Sequence, residues 1–230
     1  MTVRLEVSDL SVRFDGIVAL ERVSFHVQGG QLVGLIGPNG AGKTTLIDAV
    51  SGFVRSEGSV VLEGEPLDRL RPHQRAARGV RRTFQSLDLF QDLTIRENVA
   101  VGTGGSDEVV TAALEASGLS AIADRLPRTV PVSVQRTVSL ARAVAAAPRL
   151  LLLDEIAAGI GGDERAGMLT RIREVVSSGT SVLLVDHDLA FVTELADRIV
   201  VLDAGRVIAD GPSHEVRRNE RVVGALLGRA

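Results

Sequence analysis

The residues most able to do chemistry lie in one short stretch, Gly37, Pro38, Asn39, Gly40, Ala41, Gly42, Lys43, Thr44 and Thr45, reading GPNGAGKTT. Their spacing fits G-x-x-x-x-G-K-S/T, a loop that cradles a polyphosphate. Gly37, Gly40 and Gly42 let the backbone wrap closely with its N–H groups turned inward. Lys43 can reach the outer phosphates, and the Thr44 hydroxyl can ligate Mg²⁺. The chemistry implied is binding of a nucleoside triphosphate, ATP or GTP, with magnesium. The plain alternative is a glycine turn with a chance Lys-Thr. Three further polar groups stand where apolar runs end: Gln85 after VRRTF, Asp154-Glu155 after LLLL, and His187 just beyond SVLLV. Asp154 is suited to hold Mg²⁺, Glu155 to orient or deprotonate an attacking water, and His187 to hydrogen-bond a terminal phosphate and that water. Each also has an ordinary reading: a strand-end acid pair opening a turn, a helix-start histidine, a polar strand end.

These groups need elements to position them. Leu32 to Ile36 is a short apolar run that reads as a buried parallel strand, and Lys43 to Val50 reads as the start of a helix. That helix would point its positive end at the phosphates. Leu150 to Leu153 and Ser181 to Val185 read as further buried strands, with a helix over Asp163 to Ser177 between them. Strands alternating with helices imply a parallel α/β core, and ligand groups gather at the carboxyl ends of such strands. Before the loop, Val3, Leu5, Val7, Val12, Phe14, Val23, Phe25 and Val27 alternate with polar residues, which predicts antiparallel, half-buried strands turning at Asp15-Gly16. Phe14 is either a core aromatic or a ring that stacks on a nucleobase. Ser59 to Gly64 and Val80 to Gln85 read as strands, and Pro72 to Arg78 as a short helix with a basic face. Thr94 to Val101, Asp107 to Ser117 and Ser133 to Ala147 have helical periodicity, the last ended by Pro148. The expected division is a sheet core over 1–85 and 148–230 with an inserted helical subdomain over 86–147. Ile199 to Leu202 and Arg206 to Ala209 form a predicted hairpin, and Val216 to Leu227 a helical tail.

Composition narrows the field. A chain of 230 residues without cysteine excludes disulfides and thiolate metal sites. A net charge of −3 leaves no electrostatic footprint for nucleic acid. No apolar run approaches the ~20 residues that span a bilayer. A cytosolic chain is expected, with any membrane role supplied through a partner.

In this order, the phosphate loop, Gln85, a helical insert, LLLLDE and His187 resemble the ATP-binding subunit of ABC transporters. VRFDGIVAL, LVGLIGPNGAGKTTL, RRTFQSLDLFQDLTIRENV and GALLG are similar to the ATPases of branched-chain amino acid importers. The resemblance implies a P-loop nucleotide-hydrolase fold of α/β class with a mostly parallel sheet, an N-terminal antiparallel β subdomain and an inserted α-helical subdomain. It implies that Phe14 stacks on adenine, that Gln85 senses Mg²⁺ and links the site to the helical part, that Glu155 is the catalytic carboxylate and that His187 is the switch histidine. It also implies that Leu87 to Asn98 receives a coupling helix from a transmembrane permease subunit. A solute-binding protein would take part indirectly, and the chain would lie on the inner face of the cell membrane.

The chain departs from that pattern in two places. Such ATPases pair head to tail, and each ATP meets a signature segment of the other subunit, typically LSGGQ. Anchored on Gln135-Arg136 and the following LARA, the signature here is Val130, Pro131, Val132, Ser133 and Val134. Pro131 offers neither hydroxyl nor N–H, and Val132 and Ser133 put side chains where glycine backbone would approach phosphate. After Glu155 the chain reads Ile156-Ala157-Ala158-Gly159-Ile160-Gly161 where a proline and then a terminal acid or amide are expected. Both losses fall on what the chain offers to a partner's ATP. The expectation is therefore an ATPase that energises an importer and pairs with a second subunit carrying a good signature. The competing reading is a nucleotide-binding regulatory or structural subunit with little hydrolysis. A small-molecule phosphate-loop kinase leaves Gln85, His187 and the insert unexplained.

Overall fold

The computed structural model describes residues 2–84 and 87–226. Strands β1 (Val3–Phe14) and β2 (Ile17–Gln28) pair antiparallel around the Asp15-Gly16 turn. Strands β4 (Glu57–Leu62) and β5 (Glu65–Pro66) complete a four-stranded antiparallel sheet in the order β2-β1-β4-β5. The alternation in this sheet is not uniform. The buried residues of β1 are Leu5, Val7, Leu10 and Val12, so the phase slips between Val7 and Leu10. Asp9, with φ of 51°, sits at that irregularity. Val3 and Phe14, expected on the apolar face, lie at the strand ends and are exposed.

The second sheet has six strands in the order β10-β9-β3-β8-β7-β6. Strands β3 (Leu32–Ile36), β6 (Val80–Arg82), β7 (Leu150–Asp154), β8 (Ser181–Val185) and β9 (Arg198–Asp203) run parallel, and β10 (Arg206–Pro212) closes one edge antiparallel. Every residue of β3, β7 and β8 is buried, as expected of strands covered on both faces. Strand β6 is shorter than Val80 to Gln85: pairing stops at Arg82.

Helix α1 (Lys43–Ser51) leaves the loop after β3 and sends Leu46, Ile47, Ala49 and Val50 into a core shared by both sheets. Helix α2 (Pro72–Ala77) serves α1 in an unexpected way. Its Arg75 is not part of an exposed basic face but is buried, donating to the carbonyls of Ala49 (2.7 Å) and Val50 (2.9 Å) at the end of α1. Terminal helix carbonyls lack partners within their own helix, so this buried cation completes α1.

On the other face of the large sheet, α6 (Gly162–Ser177) and α7 (Leu189–Leu195) pack Ile172, Phe191 and Val192 against Leu151, Leu153 and Leu184. A third cluster gathers α3 (Ile95–Thr103), α4 (Asp107–Ala116) and α5 (Val132–Ala145) around Ile95, Val99, Leu114 and Val138. Helix α5 belongs to two clusters: Val138 and Ala141 face the helices, while Leu140 and Ala143 join the core beneath the sheet. The tail is two short helices, α8 (Ser213–Val216) and α9 (Glu220–Leu226).

Candidate active site

The glycine loop, the end of β7 and the end of β8 converge on one cavity of about 560 Å³. Asn39, Gly40, Gly42, Lys43, Thr44 and Thr45 line one side, Glu155 and Val185 another, and Ile17, Val18 and Ala19 the rim. Gly42 has φ of 102°, and a Cβ there would lie 2.8 Å from the Ala19 carbonyl oxygen and 2.7 Å from Leu20. Only glycine gives the chain that turn into α1. Lys43 donates to the carbonyls of Gly37 (2.7 Å) and Pro38 (2.9 Å), which places its ammonium at the mouth of the loop. Burial pulls the Lys43 ammonium below the usual lysine range, and Glu155 and Asp154 oppose that pull.

Asp154 ends β7 and is buried. Its backbone N–H donates to the Thr83 hydroxyl (3.2 Å), and its carboxylate accepts from Arg82 (3.0 Å). Burial pushes the Asp154 carboxyl above its ordinary range; the Arg82 pair holds it down, and Glu155 and Asp48 add to the rise. Glu155 adopts a left-handed conformation, φ 50°, with its N–H donating to the Val185 carbonyl (2.8 Å). That conformation is costly outside glycine and is held here by the neighbouring strand.

Asp186 connects two segments. It is buried, and its carboxylate accepts from the N–H of Ala157 (3.1 Å) and of Asp188 (3.0 Å). It thus ties the turn after Glu155 to the start of α7. His187 stands beside it with an exposed ring, 3.6 Å from the Asp186 carboxylate. Arg136, on α5, is buried; burial lowers its pKa and Asp186, then Glu155, oppose that. The signature helix is therefore electrostatically in touch with the acids at the cavity.

The structure brings Lys43, Thr44, Thr45, Asn39, Gly40, Gly42 and Glu155 to one cavity. Ala41 is buried behind the loop. Phe14 is 46% exposed, so it is not a core aromatic; it pairs with Ile17 at the hairpin end, beside the rim. Gln85 lies outside the described residues. Arg82, Thr83, Asp48 and Asp186 are functional neighbours that the sequence assigned no role. Asp186 alone had a signal, an acid directly after a buried strand; the others act through partners distant in sequence.

The signature segment contrasts with this. Pro131 precedes α5 with no side-chain cap, Val130 is buried and Val132 is 48% exposed at the helix start. The Ser133 hydroxyl donates to Glu164 of α6 (2.6 Å), and Val134 is half-buried. Gly161 precedes α6 in an extended conformation, with no side chain to offer.

The site residues fit hard-cation chemistry. Thr44 and Asp154 supply only oxygen, and magnesium bound with a nucleotide keeps waters and phosphate oxygens for its remaining positions. Among the described residues no cluster of three or more acidic, histidine or cysteine side chains forms a separate metal site. No helix among them is long and apolar enough to cross a membrane.

Comparison with known proteins agrees with this geometry. The family model described as ABC transporter matches residues 20–158, more than half of the chain. The high-affinity branched-chain amino acid transport ATP-binding protein BraF of Pseudomonas aeruginosa is 35% identical, over 98% of each chain. LivG of Escherichia coli K12, described in the same words, is 34% identical over 98% of each. The lipopolysaccharide export system ATP-binding protein LptB of Haemophilus influenzae is 33% identical over 97% of each. Among solved structures, the ADP conformation of an ATP-binding cassette of an ABC transporter superposes with a TM-score of 0.91 at 26% identity, covering 99% of this chain and 100% of that one. A nucleotide-free cassette gives 0.90 at 26% identity, covering 96% and 98%. On the family match over residues 20–158 and the identity to these relatives over nearly the whole chain, this protein belongs to the ABC transporter family as an ATP-hydrolysing subunit.

Proposed function

We propose that this ATPase energises an importer of branched-chain amino acids or related small polar solutes, and that it works beside a second ATPase subunit carrying an intact signature. Import and solute class rest on the similarity to BraF and LivG. The pairing rests on one contrast: the glycine loop, Lys43, Thr44 and Glu155 line a common cavity, while the signature presents Val132 outward and spends the Ser133 hydroxyl on Glu164.

In this reading the loop amides and Lys43 hold the terminal phosphates, and Ile17, Val18 and Phe14 give the nucleobase an apolar rim. Thr44 and Asp154, with Gln85, would hold Mg²⁺, which when bound neutralises phosphate charge. Glu155 orients and deprotonates water, and His187 steadies the terminal phosphate. Asp186 keeps Glu155 and His187 in fixed relation through the Ala157 and Asp188 amides.

Contact with a permease falls on residues 87–98. Asn98 is fully buried and holds this loop by bonds to the Phe90 N–H (2.9 Å) and to the carbonyls of Phe90 (3.0 Å), Leu93 (3.1 Å) and Thr94 (3.0 Å). The result is a fixed loop that leaves Phe90 half exposed. Through such a partner the chain would sit at the inner face of the membrane.

The Ser133–Glu164 bond also favours a second reading, a subunit whose nucleotide holds an assembly together with little turnover. Glu155→Gln in the assembled complex separates the two. A fall in ATPase of about a hundredfold or more supports catalysis on this chain. An unchanged rate supports the regulatory reading.

A further inference from the structure

Arg82 occupies a position that the ATP-site reading does not explain. It ends β6 with its side chain 8% exposed, and its guanidinium forks between two carboxylates. One nitrogen pairs with Asp48 on α1, and the other donates to Asp154 at 3.0 Å. The guanidinium carbon lies over two aromatic rings, 4.7 Å from the Phe84 centroid and 5.9 Å from that of Phe53. Those rings meet edge to face at 5.8 Å. A planar, permanently charged fork held between two carboxylates and two rings is a rigid support, which lysine cannot reproduce.

Charge makes the arrangement consequential. Asp48 and Glu155 both act on the Asp154 carboxylate, and Glu155 and Lys43 line the cavity. Without magnesium, a triphosphate brings roughly four more negative charges to this corner. Any fixed cation nearby then matters most when the metal is absent.

We propose that Arg82 is a positioning residue that clamps Asp154 and Asp48 together and serves as the site's own counter-charge, reducing its dependence on magnesium for holding nucleotide. The proposal rests on the reading of the cavity as the ATP site.

The test measures affinity for a fluorescent ATP analogue with excess Mg²⁺ and with EDTA; the protein's lack of Trp and Tyr leaves the signal clean. In Arg82→Gln the affinity in EDTA falls about tenfold or more, the scale of losing one unit charge near a polyanion at an effective dielectric of about 20. The affinity with Mg²⁺ falls less, so the ratio between the two conditions widens. An equal fall in both conditions marks a merely structural residue and overturns the proposal, as does no change in either. Should Arg82→Gln fail to fold, Asp48→Asn decides. Its side chain is 28% exposed, and with one carboxylate gone the affinity in EDTA rises and the ratio narrows. An unchanged ratio in Asp48→Asn overturns the proposal. If the unaltered protein takes up no analogue in either condition, the ATP-site reading itself has failed.

Discussion

Two helix beginnings in this molecule look alike in sequence order and differ in everything a phosphate would feel. Helix α1 starts from a glycine at φ 102°, with Lys43 as its first residue and the loop backbone open to the cavity. Helix α5 starts from Pro131, shows Val132 to solvent, and has the Ser133 hydroxyl bound to the Glu164 carboxylate. The first site is built for an anion. The second places an acid beside the position where a helix N-terminus would otherwise favour one. The proposed division between chemistry within the chain and chemistry across an interface rests on this contrast.

Glu155→Gln is expected to retain nucleotide and lose hydrolysis by about a hundredfold or more in single-turnover assays, since general base catalysis contributes on that scale. Lys43→Ala is expected to weaken nucleotide binding by about a hundredfold, measured by equilibrium titration, because charge-assisted hydrogen bonds are worth roughly 1.5–3 kcal/mol each. Retained affinity in Lys43→Ala would mean that the phosphates sit elsewhere.

The weak end can be sharpened by repair. The double change Val132→Gly with Ser133→Gly removes the side chains that crowd the start of α5 and frees Glu164. Homomer turnover should rise about tenfold, the effect of one recovered hydrogen bond to a charged group. No gain would place the deficit elsewhere, for instance at Gly161. A smaller effect is expected at the segment that joins the two ends. Asp188 caps α7 by accepting from the Phe191 N–H at 2.9 Å. Asp188→Ala should cost about 1 kcal/mol in denaturant titration, with nucleotide affinity little altered.

Much of this was legible in the sequence because the signals are local. The phosphate loop is a spacing rule, and the fully buried β3, β7 and β8 are short apolar runs of the length that parallel strands require. The β1–β2 hairpin is legible as a hairpin, but alternation does not show where a strand leaves the core. Val3 keeps the phase of Leu5 and Val7, and Phe14 that of Leu10 and Val12, and their places at the strand ends expose them. Arg75 read as part of a basic helix face because its partners, the last carbonyls of α1, have no signature of their own. Arg82 is silent for the same reason: it meets acids 34 and 72 residues away, Asp154 through the pairing of β6 with β7 and Asp48 from helix α1.

The central claim is that this chain completes its own ATP site and leaves its partner's incomplete. The most direct test is the steady-state ATPase rate of the purified chain as a function of its own concentration and of ATP. The account predicts slow turnover with hyperbolic dependence on ATP and no steep rise with protein concentration, despite measurable binding of Mg-ATP. Rapid turnover with sigmoidal dependence on ATP, growing with protein concentration as two like copies associate, would contradict it.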